Sequence, residues 1–214
     1  MRTRVKICGL TDPASVAVSV ASGADAIGLV FYPPSPRAVS LAQARMLVQG
    51  LPPYVQAVGL FVDATPAQVV DTVAAVGLDL LQFHGRESPA YCAEVGQLTG
   101  RRWYRALAVQ PGLDLHREAR AYQQAGASAL LLDAWHPQLQ GGTGQTFDWS
   151  LWPVGLDLPL ILAGGLTPEN VAEAICLTRP YAVDVSGGVE QGKGIKSPER
   201  IKAFLAGVQQ ANGH

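Results

Sequence analysis

Apolar and polar positions alternate along this chain in two rhythms. Short runs rich in Val, Ile, Leu and Phe have the length and β-branched content of strands. Between them lie Ala-rich stretches whose apolar residues recur every three or four positions, the helical period. The pattern predicts strands at 4–8, 25–31, 55–62, 78–84, 103–109, 128–133, 159–163 and 181–186. It predicts helices at 13–21, 41–49, 66–76, 89–97, 114–124, 168–176 and 198–210. Five helix starts combine a capping residue with proline at the first helical position: Asp12-Pro13, Thr65-Pro66, Ser88-Pro89, Thr167-Pro168 and Ser197-Pro198. Proline costs nothing there, because the N–H it lacks has no helical partner in any case.

An internal echo supports this count. Gly23-Ala24-Asp25, Gly77-Leu78-Asp79 and Gly126-Ala127-Ser128 each read as a helix-stopping glycine followed by a strand. Their separation, about 50 residues, equals two βα units, and the whole chain holds about eight. Eight strands alternating with helices suit an α/β fold of the closed (β/α)8, or TIM, barrel type better than an open sheet. With no linker or low-complexity stretch, residues 1–214 are expected to form a single domain. The weakest element follows the sixth strand. There the segment 135–146 leaves room only for a short turn near 148–152.

Composition narrows the functional classes. Hydrophobic residues make up 48% of the chain and charged residues only 15%, which excludes disorder and coiled coil and fits strands covered on both faces. The formal net charge is −1, from 16 basic and 17 acidic residues, so no nucleic-acid or membrane-surface footprint is expected. No apolar run approaches the roughly 18 residues of a membrane span, and the first residues carry no apolar signal core. Three scattered cysteines, Cys8, Cys92 and Cys176, argue against a disulfide framework or structural metal site. A reducing, cytoplasmic setting is the expectation.

Strand phase supplies the first chemical clue, because side chains two apart share a face. Lys6 and Cys8 look the same way on the first strand, Gln82 and His84 on the fourth, and Asp184 and Ser186 on the eighth. Asp133 ends the sixth strand in phase with Leu131, and the intervening Ile7, Phe83, Leu132 and Val185 are apolar. The polar set therefore points into the barrel at its C-terminal mouth, where enzymes of this fold place their chemistry. Lys6 reads as an interior cation paired with Asp184 across the adjoining first and last strands. Burying Cys8, His84 and Asp133 without a use would cost kilocalories.

Glycine supplies the second clue. Gly164-Gly165 follows the seventh strand and Ser186-Gly187-Gly188 the eighth. Glycines in these two loops let backbone N–H groups approach an anion, and barrels of this kind commonly bind phosphate there. Gly141-Gly142-Thr143-Gly144 reads either as a mobile cover over the site or as a permissive turn. Arg37 lies in Pro33-Pro34-Ser35-Pro36-Arg37, a proline-stiffened loop after the second strand, and reads either as a guanidinium suited to bidentate capture of a carboxylate or as an ordinary exposed surface arginine. Cys92 and Cys176 read as small core residues, and Trp103, Trp149 and Trp152 as packing. Trp135 is placed to line an aromatic pocket, and His116, His136 and His214 lack metal-ligand spacing.

These segments together resemble the phosphoribosylanthranilate isomerase family, over essentially the whole length. The matching stretches are Lys6-Ile7-Cys8-Gly9-Leu10-Thr11, Ser35-Pro36-Arg37, Gln82-Phe83-His84-Gly85 and Leu131-Leu132-Asp133-Ala134. They continue with Gly141-Gly142-Thr143-Gly144, Phe147-Asp148-Trp149, Leu162-Ala163-Gly164-Gly165-Leu166 and Val183-Asp184-Val185-Ser186. The resemblance implies an Amadori rearrangement in tryptophan biosynthesis that needs no cofactor or metal. N-(5-phosphoribosyl)anthranilate would become 1-(2-carboxyphenylamino)-1-deoxyribulose 5-phosphate, and the implied assembly is a monomer or homodimer. It further implies Asp133 as general acid, Cys8 as general base, Arg37 on the substrate carboxylate, and Gly164, Gly165, Ser186, Gly187 and Gly188 on its phosphate. Gln82, His84 and Asp184 would complete the pocket.

Two departures stand out. The family usually reads Ser-Ser-Gly where this chain has Ser186-Gly187-Gly188, removing one hydroxyl donor to phosphate. Ser197 replaces an aspartate before the last helix, a change that keeps a cap. Rival phosphosugar barrels fit less well. An indole-glycerol-phosphate synthase would call for an early lysine–glutamate set, and a ribulose-phosphate epimerase for paired aspartates with metal-binding histidines. A non-catalytic binding barrel leaves Cys8 and Asp133 unexplained, and a redox sensor at Cys8 lacks a nearby resolving cysteine.

Overall fold

A computed structural model of the chain describes residues 2–110, 112–134, 149 and 152–213. Eight parallel strands close into a barrel in chain order: β1 (Arg4–Cys8), β2 (Ala26–Phe31), β3 (Gln56–Phe61), β4 (Leu80–Phe83), β5 (Arg102–Val109), β6 (Leu130–Ala134), β7 (Leu160–Leu162) and β8 (Ala182–Val185). Helices α1 (Pro13–Ala21), α2 (Leu41–Gln49), α3 (Pro66–Val76), α4 (Pro89–Thr99), α5 (Leu115–Gln124), α6 (Val171–Thr178) and α7 (Pro198–Asn212) fill the intervals. Every predicted strand is present, most of them a residue or two shorter. The proposed turn near 148–152 and the glycine segment 141–144 lie outside the described residues, apart from Trp149 and Trp152.

Local chemistry explains why the elements begin and end where they do. Asp12, Thr65, Ser88 and Ser197 each accept a hydrogen bond from a first-turn backbone N–H, with proline beside them as the sequence predicts. Thr65 and Gln68 form a reciprocal capping box. Thr167-Pro168 is the exception, because α6 starts only at Val171. Asn170 there accepts from the Thr167 N–H and donates to the Gly165 carbonyl, holding a turn that keeps the chain near the β7 loop. Gly23, Gly77 and Gly126 all take positive φ, the left-handed conformation that ends a helix at little cost to glycine. In two of the three repeats the aspartate after the glycine then accepts a strand N–H: Asp25 from Val5 and Asp79 from Ala57.

Alternation along the strands sorts side chains into two cores. Outward residues such as Val5, Ile7, Ile27, Leu29, Leu81, Phe83 and Leu132 pack against the helices. Inward Val58, Tyr104, Ala106, Ala129, Leu131 and Ala163 fill the barrel. Phe83 thus faces the helices, as its phase predicts. Trp103 is buried, and Trp149 and Trp152 pack against the outer core. Cys92 is buried, but Cys176 is exposed, contrary to its reading as a core residue. The buried stripe of α6 is Val171, Ala174, Ile175 and Thr178, and Cys176 lies off it. No helix among the described residues is long and apolar enough to cross a membrane.

Candidate active site

The in-phase polar residues gather as their spacing predicts. Lys6 and Asp184 are register partners on β1 and β8, and Lys6 Nζ donates to both carboxylate oxygens at 2.9 Å. Both side chains are almost fully buried, at 6% and 7% exposure. The Lys6 ammonium also interacts with the Cys8 thiol and the Tyr104 hydroxyl. Burial pushes the Cys8 thiol up, and the Lys6 and Lys196 cations draw it back only part of the way. The resting sulfur is therefore a thiol at neutral pH.

Two glycines shape this corner. Gly28 is the register partner of Cys8, and a Cβ there would sit 2.8 Å from Cys8 Sγ and 2.9 Å from Lys6 Nζ. Gly28→Ala is expected to displace both groups. It should cost about 1–3 kcal/mol of stability by overpacking. Urea unfolding checks this; unchanged stability would show that the corner has room for a methyl group. Gly9, at φ +75°, carries the Arg37 stem across the end of β1, where a Cβ would lie 2.5 Å from Arg37 Cδ. Arg37 therefore lies directly over the residue that follows Cys8.

On the other wall the chain Tyr104–Gln82–His84–Asp133 spans three strands. The Tyr104 hydroxyl donates to Gln82 Oε1 at 2.9 Å, which orients the fully buried amide. Gln82 Nε2 then faces His84 Nδ1 at 3.1 Å. An amide nitrogen only donates, so Nδ1 accepts and the ring proton sits on Nε2. Nε2 lies 3.4 Å from Asp133 Oδ2. A second network holds the approach to this chain. Buried Arg105 donates to the carbonyls of Phe83 and Gly85, and Glu87 accepts from the N–H groups of Gly85 and Asp63.

The glycine loops touch one another. Gly164 and Gly165 take positive φ, and a Cβ on Gly188 would collide with the Leu166 carbonyl, so the loops after β7 and β8 meet there. Gly187–Val189 forms one turn of 3-10 helix after Ser186.

Arg37 is not the free guanidinium that its loop suggests. Its Nε and Nη2 donate to Glu190 at 2.7 and 2.8 Å. Glu190 belongs to a hairpin absent from the predicted elements, β9 (Glu190–Gly192) with β10 (Ile195–Lys196). Lys196, its side chain wholly buried, donates to Glu190 and to the Ser186 carbonyl and hydroxyl. Sequence alone does not single out these two residues, because charged residues in a short loop ordinarily belong to solvent. The available signal was two charges flanking Gly192 and Gly194 directly after the β8 glycines, in a chain poor in charge. A further feature that escaped the reading is the apolar wall beside Cys8, formed by Val30 and Leu60 with Tyr32 and Val62 packed on them.

Burial pushes the Glu190 carboxyl up, but hydrogen bonds from Arg37 and Lys196 outweigh it and hold it at about 2, against an ordinary 4.5. A carboxyl that titrates lower in the folded than in the unfolded chain stabilises the fold fully above its unfolded value. That contribution disappears as pH falls from 4.5 towards about 2. The urea midpoint is expected to fall across this window, and less steeply in Glu190→Gln. Parallel declines in both proteins would remove Glu190 from the acid response.

A closed eight-stranded barrel with a thiol, a carboxyl, a braced arginine and two glycine loops at one mouth defines an α/β-barrel enzyme. Comparison with known proteins gives the family. Residues 5–207 match the family described as N-(5′-phosphoribosyl)anthranilate (PRA) isomerase. The N-(5′-phosphoribosyl)anthranilate isomerase of Acinetobacter calcoaceticus is 60% identical over 209 residues, covering 98% of each chain. The crystal structure of the Thermotoga maritima phosphoribosyl anthranilate isomerase superposes with a TM-score of 0.89 at 40% identity, covering 97% of this chain and 99% of that one. A phosphoribosyl anthranilate isomerase in complex with reduced 1-(o-carboxyphenylamino)-1-deoxyribulose 5-phosphate superposes at 0.84 with 38% identity, over 97% and 99% of the two chains. The chain belongs to the phosphoribosylanthranilate isomerase family.

Proposed function

We propose that this isomerase carries out the Amadori rearrangement of N-(5-phosphoribosyl)anthranilate with Asp133 as general acid and Cys8 as general base. The observation that carries the reading is the convergence at one mouth of the Lys6-flanked thiol on β1 and the His84-flanked carboxyl on β6. Asp133 protonates the ring oxygen of the ribose, which opens the ring and leaves a protonated imine. With His84 Nε2 beside Oδ2, the oxygen that delivers the proton is Oδ1. Cys8 then removes the C2′ proton, and the resulting enamine tautomerises to the ketone. A thiol that burial keeps protonated at rest needs help to act as a base. The cationic imine supplies it, adding to the pull of Lys6 and Lys196, so the thiol gives its proton to solvent and the thiolate takes the C2′ proton.

The two ends of the substrate suit the two remaining features. The anthranilate carboxylate meets the edge of Arg37 that Glu190 does not engage, and its ring lies on the apolar wall of Val30, Tyr32, Leu60 and Val62. The phosphate takes the backbone N–H groups of the loops carrying Gly164, Gly165, Ser186, Gly187 and Gly188. Holding both ends fixes the reacting carbons between acid and base. The three thiols are free, which supports a reducing compartment, the cytoplasm. The test is a fluorescence assay following consumption of phosphoribosylanthranilate by the purified chain. Turnover is expected, and its absence with this substrate overturns the reading.

A further inference from the structure

Arg37, Glu190, Lys196 and Ser186 form one continuous series of contacts from the loop after β2 to the loop after β8. Glu190 engages Nε and Nη2 of Arg37, one edge of the guanidinium. It also accepts from Lys196 Nζ at 2.8 Å and from the Gly194 N–H at 3.0 Å. Glu190 is almost fully buried, at 6% exposure, and Lys196 at 0%. Gly194, at φ +81°, lies against the loop holding Arg37, for a Cβ there would be 2.8 Å from the Pro36 carbonyl oxygen. The hairpin is thus fitted to the arginine's loop by its backbone as well as by charge.

A guanidinium has five N–H donors in a planar fork. With Nε and one Nη2 hydrogen committed to Glu190, the Nη1–Nη2 edge remains as a second fork in a fixed plane. A second carboxylate can meet that edge in a bidentate manner, and Glu190 cancels the charge that would set Arg37 against Lys196. We propose that Glu190 is a positioning residue for the isomerase reaction, holding Arg37 in the one orientation that receives the substrate carboxylate. Lys196 backs it and ties the same brace to Ser186 of the phosphate loop. The inference rests on the assignment of Arg37 to the substrate carboxylate.

Calorimetry with two probes separates the possibilities: reduced 1-(o-carboxyphenylamino)-1-deoxyribulose 5-phosphate, and the same compound lacking the ring carboxylate. Glu190→Gln is expected to raise Kd for the carboxylated probe about tenfold and to leave the other within about twofold. In an Arg37→Ala background the selective loss should vanish. Equal weakening of both probes, or of neither, overturns the positioning role. Arg37→Ala is the separate control: if it does not discriminate between the probes, the carboxylate assignment of Arg37 fails and the inference falls with it. Should Glu190→Gln fail to fold, Glu190→Asp takes its place. It keeps the charge but retracts the carboxylate by one methylene, and the same selective loss is expected.

Discussion

Cys8→Ala is expected to lower kcat by about 1,000-fold or more while leaving affinity for the reduced product analogue within a few-fold. General acid–base groups contribute about 100- to 10,000-fold, and the upper part of that range applies because Lys6, the cation that acts most strongly on Cys8, cannot substitute. Lys6, bonded to both oxygens of Asp184, has no basic form available at neutral pH, and its value is raised by Asp184 and Cys8 against the burial that lowers it. Binding should persist because the groups assigned to the carboxylate and phosphate lie in other loops. Steady-state kinetics with calorimetry on the same preparation checks both halves. A variant with near-normal kcat would remove Cys8 from the chemistry, and one that also loses the analogue would make its role structural.

The second large effect concerns the pair beneath Cys8. Lys6→Met is expected to destabilise the fold by about 3–5 kcal/mol, because it leaves the Asp184 charge buried without a partner. Domains of this kind have about 5–15 kcal/mol in total, so the variant should be folded but marginal. Lys6→Met/Asp184→Leu removes both charges and is expected to recover most of that loss. The double variant also tests what the pair does to Cys8. It removes the Lys6 cation, which draws the thiol down by charge and by a hydrogen bond, together with the Asp184 carboxylate, which pushes it up. The Lys6 contribution is the larger, so alkylation of the thiol at a given pH should slow. Urea unfolding and iodoacetamide kinetics measure the two effects. A double variant as unstable as the single one would mean that Lys6 acts by packing rather than by pairing.

Much of the barrel was legible because parallel strands covered on both faces leave a simple trace. Ile7, Phe83, Leu132 and Val185 had to face helices, so Lys6, Gln82, Asp133 and Asp184 had to face the interior. The Lys6–Asp184 pair followed, since β1 and β8 adjoin only if the sheet closes. The misreadings have equally local causes. Cys176 was read as buried because α6 is apolar nearly all round, yet the spacing of Val171, Ala174, Ile175 and Thr178 places it off the buried stripe. Thr167-Pro168 carried a sound helix-start signal, but the Asn170 side chain stabilises a turn there and delays the helix. Arg37 was read alone because its partner is 153 residues away, in a hairpin too short to show periodicity. Gly9 and Gly28 look like ordinary glycines until Arg37 and Cys8 are seen lying against them. The proposed cover at Gly141–Gly144 and the pocket role of Trp135 fall outside the described residues.

Single-turnover kinetics with substrate deuterated at C2′ addresses the division of labour between Cys8 and Asp133 most directly. Replacing the base should make removal of that hydrogen limiting, so Cys8→Ser is expected to show a full primary isotope effect. Replacing the acid should make ring opening limiting, so Asp133→Asn is expected to be as slow but to show almost none. An isotope effect in the aspartate variant and none in the cysteine variant would reverse the two assignments, and equal effects in both would contradict the account.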